Sequence, residues 1–486
     1  MPLISKLPHY FSSKTWLCFV FIIQPLSCYG QSDLPKELST AIKNVGFSRD
    51  GIGLYIQNVH SAEPLVAFQA QAPLNPASVI KLVTTAASLS ILGPGYRWKN
   101  EILYSGKIDG DTLKGNLYFR GNGDPYLTPE RFWRLLNRLS IYGIKNIRGD
   151  IIIDTTYFAP EPVDYNAFDN QPFRTYNVGP NAVLVGFQAT EFHFAVAKQG
   201  VNIKPFPDSP KLRVINKLKL TNDGCGSWQK RLNIGTQITK QGTLQITFSG
   251  RYARSCNKRT LYRRVTETED HFQHFFLPLW KQLGGNFDGA IKQGEVPKKA
   301  KLAFEDESIS LSEAIRYINK FSNNVMTRQV LLSIGAHSLG PPGTTEKGLM
   351  AIQRWLKQQQ LDKHGLVLDN GPGLSRDSRI SAEQLGGLLH FIYQQAYMPE
   401  FISSLPISGS DGEMAKRFLG EPLEGHAHMK TGLLDFVQTM AGYVTTAKGE
   451  RYVVVLLINN SRAHTKSGKK LQDKVIRWAY NHKPEQ

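Results

Sequence analysis

The stretch Asn75-Pro76-Ala77-Ser78-Val79-Ile80-Lys81-Leu82-Val83-Thr84-Thr85-Ala86-Ala87-Ser88-Leu89 joins a helix start to a serine and a lysine three residues apart. Asn75 is a good N-cap and Pro76 a good first helical residue. The helix then runs to the breaker Gly93-Pro94-Gly95. Ser78 falls in its first turn, where free backbone N–H groups and the dipole favour developing negative charge. Lys81 shares a helical face with Ser78. A serine hydroxyl becomes a nucleophile when a base takes its proton, and a lysine is that base only when burial or a nearby cation lowers its pKa. Alone, the pair also fits a capped amphipathic helix with an exposed lysine.

Two later motifs supply what the pair lacks. Ser322-Asn323-Asn324 lies between two helical pieces. A hydroxyl and an amide two residues apart share a direction only in a turn or strand. There Ser322 could relay a proton and Asn324 hold a substrate amide; the bland alternative is a helix cap by Ser322 or Asn323. Lys430-Thr431-Gly432 reads as an edge strand ahead of a hairpin. Lys430 is a candidate for the cation that depresses Lys81. Lys430 and Thr431 would hold a carboxylate, and Gly432 would admit a substrate backbone. The amides of Leu433 and Ser78 would form an oxyanion hole. A histidine-based triad has less support: there is no Gly-x-Ser-x-Gly elbow, and His426 and His428 have no evident carboxylate partner.

Around these motifs the chain changes character. Gly51–Val59 and Leu65–Gln69 read as strands. From 98 to 298 strand-like pieces dominate, interrupted by one clear helix over Pro129–Tyr142. Beyond 308 helices return over 312–318, 325–334, 345–360 and 381–395. A hairpin (439–446, 452–459) and a closing helix (470–481) follow. The expected organisation is a discontinuous catalytic domain, 31–97 and 299–486, of α/β (α+β) class with an antiparallel sheet flanked by helices. Residues 98–298 form a β-rich insertion of two lobes.

Composition is that of a globular protein: 41% hydrophobic and 20% charged. The N-terminus has a signal-peptide layout. Lys6 and Lys14 precede the apolar run Trp16–Ile23, Pro25 breaks it, and cleavage near Gly30 follows small residues. The run is short for a membrane span, and no later segment reads as a transmembrane anchor. Pro25-Leu26-Ser27-Cys28 is a poor lipoprotein site because its leucine sits one position late. Export to a periplasm makes Cys225 and Cys256, the cysteines left after the leader, a disulfide. No further ligands at suitable spacing suggest a metal, and no cofactor is called for. Losing Lys6 and Lys14 reduces the net charge from +18 to +16. The cations are dispersed, without a long Lys/Arg run or a nucleic-acid motif. They suit peripheral association with a membrane or cell wall rather than nucleic acid.

The ordered motifs resemble those of the D-alanyl-D-alanine carboxypeptidases/endopeptidases, the class C low-molecular-mass penicillin-binding proteins. The likeness extends further. Gly371-Pro372-Gly373-Leu374-Ser375-Arg376 is similar to the family's Gly-Ser-Gly-Leu-Ser-Arg. Leu405-Pro406-Ile407-Ser408-Gly409-Ser410-Asp411-Gly412 resembles its Leu-Pro-x-x-Gly-x-Asp-Gly. Ala441-Gly442-Tyr443 resembles its Ala-Gly-Tyr strand, and Gly121-Asn122-Gly123-Asp124-Pro125 a Gly-rich stretch of its insertion. The resemblance implies a penicillin-recognising transpeptidase/β-lactamase-like fold. It also implies an acyl-enzyme on Ser78, peptidoglycan stem peptides as substrates, and β-lactams as covalent inhibitors. Asn323 stands where the family often has Asp, and Tyr176–Asn181 matches only loosely. Alternatives are a β-lactamase or esterase of the same superfamily, or a non-catalytic wall-binding protein.

Overall fold

The computed structural model describes residues 34–361 and 365–483. The expected signal peptide, 1–30, lies outside them. Among the described residues no helix is long and apolar enough to cross a membrane.

The central sheet has five antiparallel strands in the order Ala427–Leu434, Val437–Thr445, Arg451–Asn459, Ile52–Asn58, Val66–Phe68. Its middle strands are buried on both faces. That is why Tyr452–Ile458 reads as a continuous apolar run rather than an alternating one. Val453, Val455 and Leu457 pack with the helices Lys81–Ile91, Leu311–Phe321, Asn324–Leu339 and Ala382–Tyr393. Val454, Leu456 and Ile458 face the opposite core, closed by the helices Lys36–Val45 and Lys466–Asn481. The Lys430 strand is the sheet edge, as expected.

The chain departs along Arg97–Tyr104 and returns along Lys301–Ser310, which pair antiparallel. They belong to a five-stranded mixed sheet, ordered Ile291–Gln293, Ile151–Asp154, Leu117–Gly121, Arg97–Tyr104, Lys301–Ser310. Asp124 and Asp306 are buried there and share Arg131, at 2.5 and 2.8 Å. Asn100 also donates to Asp124 at 2.9 Å. The shared guanidinium ties the helix Pro129–Ile141 to the returning strand and leaves neither buried carboxylate unpaired.

Two helices, not one, lie within 98–298. The second, Thr268–Gln282, contains Pro278. Proline penalises a helix interior, and the sequence around it is poor in strong helix formers. Burial of Phe272, Phe275, Phe276 and Trp280 in one aromatic core outweighs that local preference. Beyond it stands a sandwich of two three-stranded sheets: Val201–Phe206, Thr190–Val196, Lys258–Arg263 against Leu212–Thr221, Leu244–Ala253, Leu232–Ile238. Its core holds Phe192, Phe194 and Phe248, and it carries the Cys225–Cys256 disulfide.

Candidate active site

The entry to the first motif differs from the expected N-cap. A 3-10 turn, Ala77–Ile80, precedes the α-helix Lys81–Ile91. Asn75 acts instead as a clamp. Its Oδ1 accepts from the Ala77 amide at 2.9 Å, and its Nδ2 donates to the carbonyls of Ser375 and Arg376 at 3.0 and 3.3 Å. Asn459, at the end of a central strand, bonds the Asn75 backbone at 2.7 and 3.0 Å. Held this way, Ala77 adopts φ +46°, a conformation costly for a residue with a Cβ. The kink leaves Ser78 half-buried while residues 75–77, 79 and 80 are buried.

Lys81 has no exposed surface. Its Nζ donates to Ser78 Oγ at 2.9 Å, Asn324 Oδ1 at 2.7 Å and the Pro372 carbonyl at 2.6 Å. Burial holds its pKa well below the usual lysine value, and the charges of Lys430 and Arg328 lower it further. Once deprotonated, the amine keeps two donors for Asn324 Oδ1 and the Pro372 carbonyl, and its lone pair faces the Ser78 hydroxyl.

The second motif divides its labour. Ser322 ends the helix Leu311–Phe321 in a left-handed conformation, φ +56°. Asn323 caps the next helix, accepting from the Met326 amide at 3.0 Å. The cap reading therefore holds for Asn323, and Ser322 and Asn324 are turned inward. Ser322 Oγ accepts from Lys430 Nζ at 3.0 Å. Lys320 steadies this turn by donating to Asp411 Oδ2 and the Leu405 carbonyl, both at 2.7 Å. A Cβ at Gly412, which has φ +57°, would lie 2.5 Å from the Lys320 carbonyl oxygen. This places the Leu405–Gly412 segment against the turn of the second motif.

Lys430 is also fully buried, and burial pushes its ammonium down to about 8, with Glu413 opposing. Gly432 is buried too, and a Cβ there would lie 2.4 Å from Thr439 Oγ1 and 2.8 Å from the Ser78 amide nitrogen. The Thr431 hydroxyl has no partner among the described residues, and Leu433 is 60% exposed. Two residues that the motifs do not name complete the site. Thr439 Oγ1 donates to the Pro76 carbonyl at 2.7 Å, fastening the turn that carries Ser78 to the sheet. Arg328 donates to the carbonyls of Tyr176 and Val178 at 2.9 and 2.6 Å. Arg328 follows Asn324 by four residues on one helix, so its placement was legible as helical spacing. Thr439 was not, because its partner lies 363 positions away.

Arg328 and Gln329, which bonds Asn181 at 2.7 and 2.9 Å, bring Tyr176–Asn181 against the site. A cleft of about 240 Å³ opens there, lined by Asp164, Phe168, Asn177, Arg328, Asn370 and Leu374. The insertion thus packs on the helix that begins with Asn324, despite its loose match in sequence. His428 is driven below its usual pKa by burial, and His426 packs on Tyr480. Among the described residues the histidine within ion-pair reach of a carboxylate is His193, in the sandwich.

With this arrangement in place, the comparisons are direct. The sequence model of the D-Ala-D-Ala carboxypeptidase 3 (S13) family matches residues 34–482. The chain belongs to this family. It is 24% identical over 437 residues to the D-alanyl-D-alanine carboxypeptidase DacB of Haemophilus influenzae, covering 88% of each chain. It is 26% identical over 446 residues to a D-alanyl-D-alanine carboxypeptidase of Actinomadura sp., covering 89% of this chain and 82% of the other. The fold matches the crystal structure of penicillin binding protein 4 (dacB) from Haemophilus influenzae with a TM-score of 0.76 at 22% identity. That match covers 92% of this chain and 99% of that one. A second structure of that protein, complexed with a β-lactam, matches with a TM-score of 0.73 at 22% identity, covering 92% and 100%. The S13 family is thus the setting for the penicillin-recognising fold and for the β-rich insertion.

Proposed function

We propose that this S13 family member is a serine D-Ala-D-Ala carboxypeptidase and D,D-endopeptidase of peptidoglycan stem peptides, working in the periplasm after removal of its leader. The observation that carries the reading is the buried Lys81 amino group, in contact with both Ser78 Oγ and Asn324 Oδ1 and depressed in pKa by burial and by Lys430. Ser78 Oγ attacks the carbonyl carbon of the penultimate D-alanine as its proton passes to neutral Lys81. The oxyanion is received by the Ser78 and Leu433 amides. Lys430 and Thr431 hold the carboxylate of the leaving residue, and Asn324 holds the peptide amide. Breakage of the C–N bond releases an amine, which takes the proton through Ser322. The acyl-enzyme is a Ser78 ester. Water attacks it, Lys81 takes the water's proton, and the ester oxygen leaves as the Ser78 hydroxyl. When the leaving residue is D-alanine the reaction is carboxypeptidation. When it is a cross-linking amino acid the reaction is endopeptidation.

The Haemophilus influenzae relative is complexed with a β-lactam, which supports β-lactams as ligands of this chain, with Ser78 the proposed point of attachment. Fluorescent penicillin should label the wild-type chain covalently and leave Ser78→Ala unlabelled. D-Alanine should be released from a soluble pentapeptide by the wild type alone. Labelling that persists in Ser78→Ala overturns the nucleophile. Fast penicillin turnover without peptide hydrolysis would identify a β-lactamase instead.

A further inference from the structure

The cations form no long run, yet the net charge is concentrated in one stretch of the chain, which strand register then sorts onto one face. Fifteen of the 58 Lys and Arg fall in residues 198–264, against two of the 40 acidic residues, Asp208 and Asp223. This span therefore carries +13 of the chain's +18. It contains most of the disulfide-bearing sandwich.

One face of that sandwich is free of acid. The strands Leu212–Thr221, Leu232–Ile238 and Leu244–Ala253 contain no Asp or Glu. Their register sends Leu212, Leu244, Ile246 and Phe248 into the core. It sends Arg213, Lys217, Lys219 and Arg251 outward, and all four are exposed. Lys219 and Arg251 are register partners, so two cations stand side by side at the normal strand spacing. Like charges in that position repel. None of the four has a carboxylate within ion-pair distance among the described residues. The same face carries Gln237, Gln245, Thr247 and Ser249, amides and hydroxyls suited to sugar hydroxyls.

We propose that this sheet face binds the anionic wall polymer, glycan strands bearing stem-peptide carboxylates, and holds the enzyme on its polymeric substrate. The choice of polymer rests on the proposed reaction, since every stem ending in D-alanine presents a carboxylate. Two observations favour it over a membrane. Lys204 and Lys258 are exposed on the outer face of the other sheet, and a planar bilayer cannot touch both faces. The outward positions of the acid-free face also carry no aromatic side chain that would enter a bilayer interface. The lobe is continuous with the wall of the cleft beside Arg328. Arg264 stacks 3.3 Å over the Tyr165 ring, its amide donates to the Phe173 carbonyl at 3.0 Å, and Arg174 donates to Gln229 at 3.3 Å. Residues 164–168 of that segment include part of the cleft wall.

The test compares the full chain with a fourfold variant, Arg213→Gln, Lys217→Gln, Lys219→Gln and Arg251→Gln, and with its Glu counterpart. Three readouts are taken: co-sedimentation with lipid-free sacculi over a salt series, co-sedimentation with phosphatidylglycerol vesicles, and D-alanine release from a soluble pentapeptide. Wild type should sediment with sacculi and dissociate as salt screens the charges. At low salt the Gln variant should bind at least about 10-fold more weakly, and the Glu variant weaker still. Both should label with fluorescent penicillin and cleave the soluble peptide within about twofold of wild type, which shows that they fold. Sacculi with amidated carboxyls should release the wild type. Undiminished binding by the variants overturns the proposal, as does binding to vesicles but not to sacculi. Loss of soluble-peptide cleavage in the wild type would overturn the proposed reaction and leave sacculus binding to be judged separately.

Discussion

Replacing Lys430 by arginine tests the electrostatics of the site. Burial moves the Lys430 ammonium from 10.5 to about 8. At about 1.4 kcal/mol per tenfold change in proton affinity, the folded site disfavours the charged form by about 3 kcal/mol. The charged form is nevertheless the one that receives a carboxylate. The rate constant for acylation by a fluorescent penicillin should therefore fall as pH rises through about 8, as Lys430 loses its proton. The opposite limb belongs to Lys81, which must be neutral to accept the Ser78 proton, so acylation rises as pH climbs through its depressed pKa. In Lys430→Arg the guanidinium stays charged, and the alkaline limb near 8 should vanish. Its planar fork cannot repeat the 3.0 and 2.7 Å bonds to Ser322 Oγ and the Thr431 carbonyl. We expect about a 10-fold loss of acylation rate at neutral pH, equal to one lost hydrogen bond of about 1.4 kcal/mol. Stability carries the complementary signature. Between about 8 and 10.5 the unfolded chain binds the Lys430 proton and the folded chain does not, so this residue makes stability rise with pH across that window. Below it both states are charged and the burial cost is paid in full. Lys430→Met should then raise the melting temperature at pH 7 and gain less at pH 10. An alkaline limb above 9.5 in the wild type, or one near 8 retained in Lys430→Arg, would refute the reasoning.

Other outcomes follow from single contacts. Gly432→Ala places a Cβ 2.8 Å from the Ser78 amide nitrogen, and displacing that turn should slow penicillin acylation by about 100-fold. Thr439→Val keeps the volume but leaves the Pro76 carbonyl without its donor, so denaturant unfolding should show a loss of about 1–3 kcal/mol. Asn323→Ala removes the cap of the helix bearing Asn324 and should cost about 1 kcal/mol, whereas Asn323→Asp, which can cap equally well, should stay near wild type. Replacing Cys225 and Cys256 by serine opens a loop with a separation of 31 residues and should destabilise the sandwich by about 3–4 kcal/mol on the chain-entropy model, read as faster proteolysis there with penicillin labelling retained.

Much of the site was legible in the chain because it is built from local geometry. Ser78 and Lys81 share a helical face at a spacing of three, so their contact follows from the helix itself. The apolar run Tyr452–Ile458 and its hairpin partner announced a buried antiparallel sheet through composition and turn chemistry. The helix Thr268–Gln282 was not legible, since Pro278 and its His/Phe-rich sequence argue locally against it. Only the aromatic core on its buried face makes it form.

What the sequence determined by itself was the inventory: a candidate nucleophile, two lysines, a candidate relay turn and an edge strand, in order, with a β-rich stretch between. Their chemistry was decided by tertiary structure. The proposed role of Lys81 as base depends on the helix core, Lys430 and Arg328 around it, and Arg328 also bonds Tyr176 and Val178 of the insertion. Strand register likewise placed Arg213, Lys217, Lys219 and Arg251 of the basic stretch on one acid-free face. Burial and proximity are properties of residues hundreds of positions apart, and no local pattern of side chains encodes them.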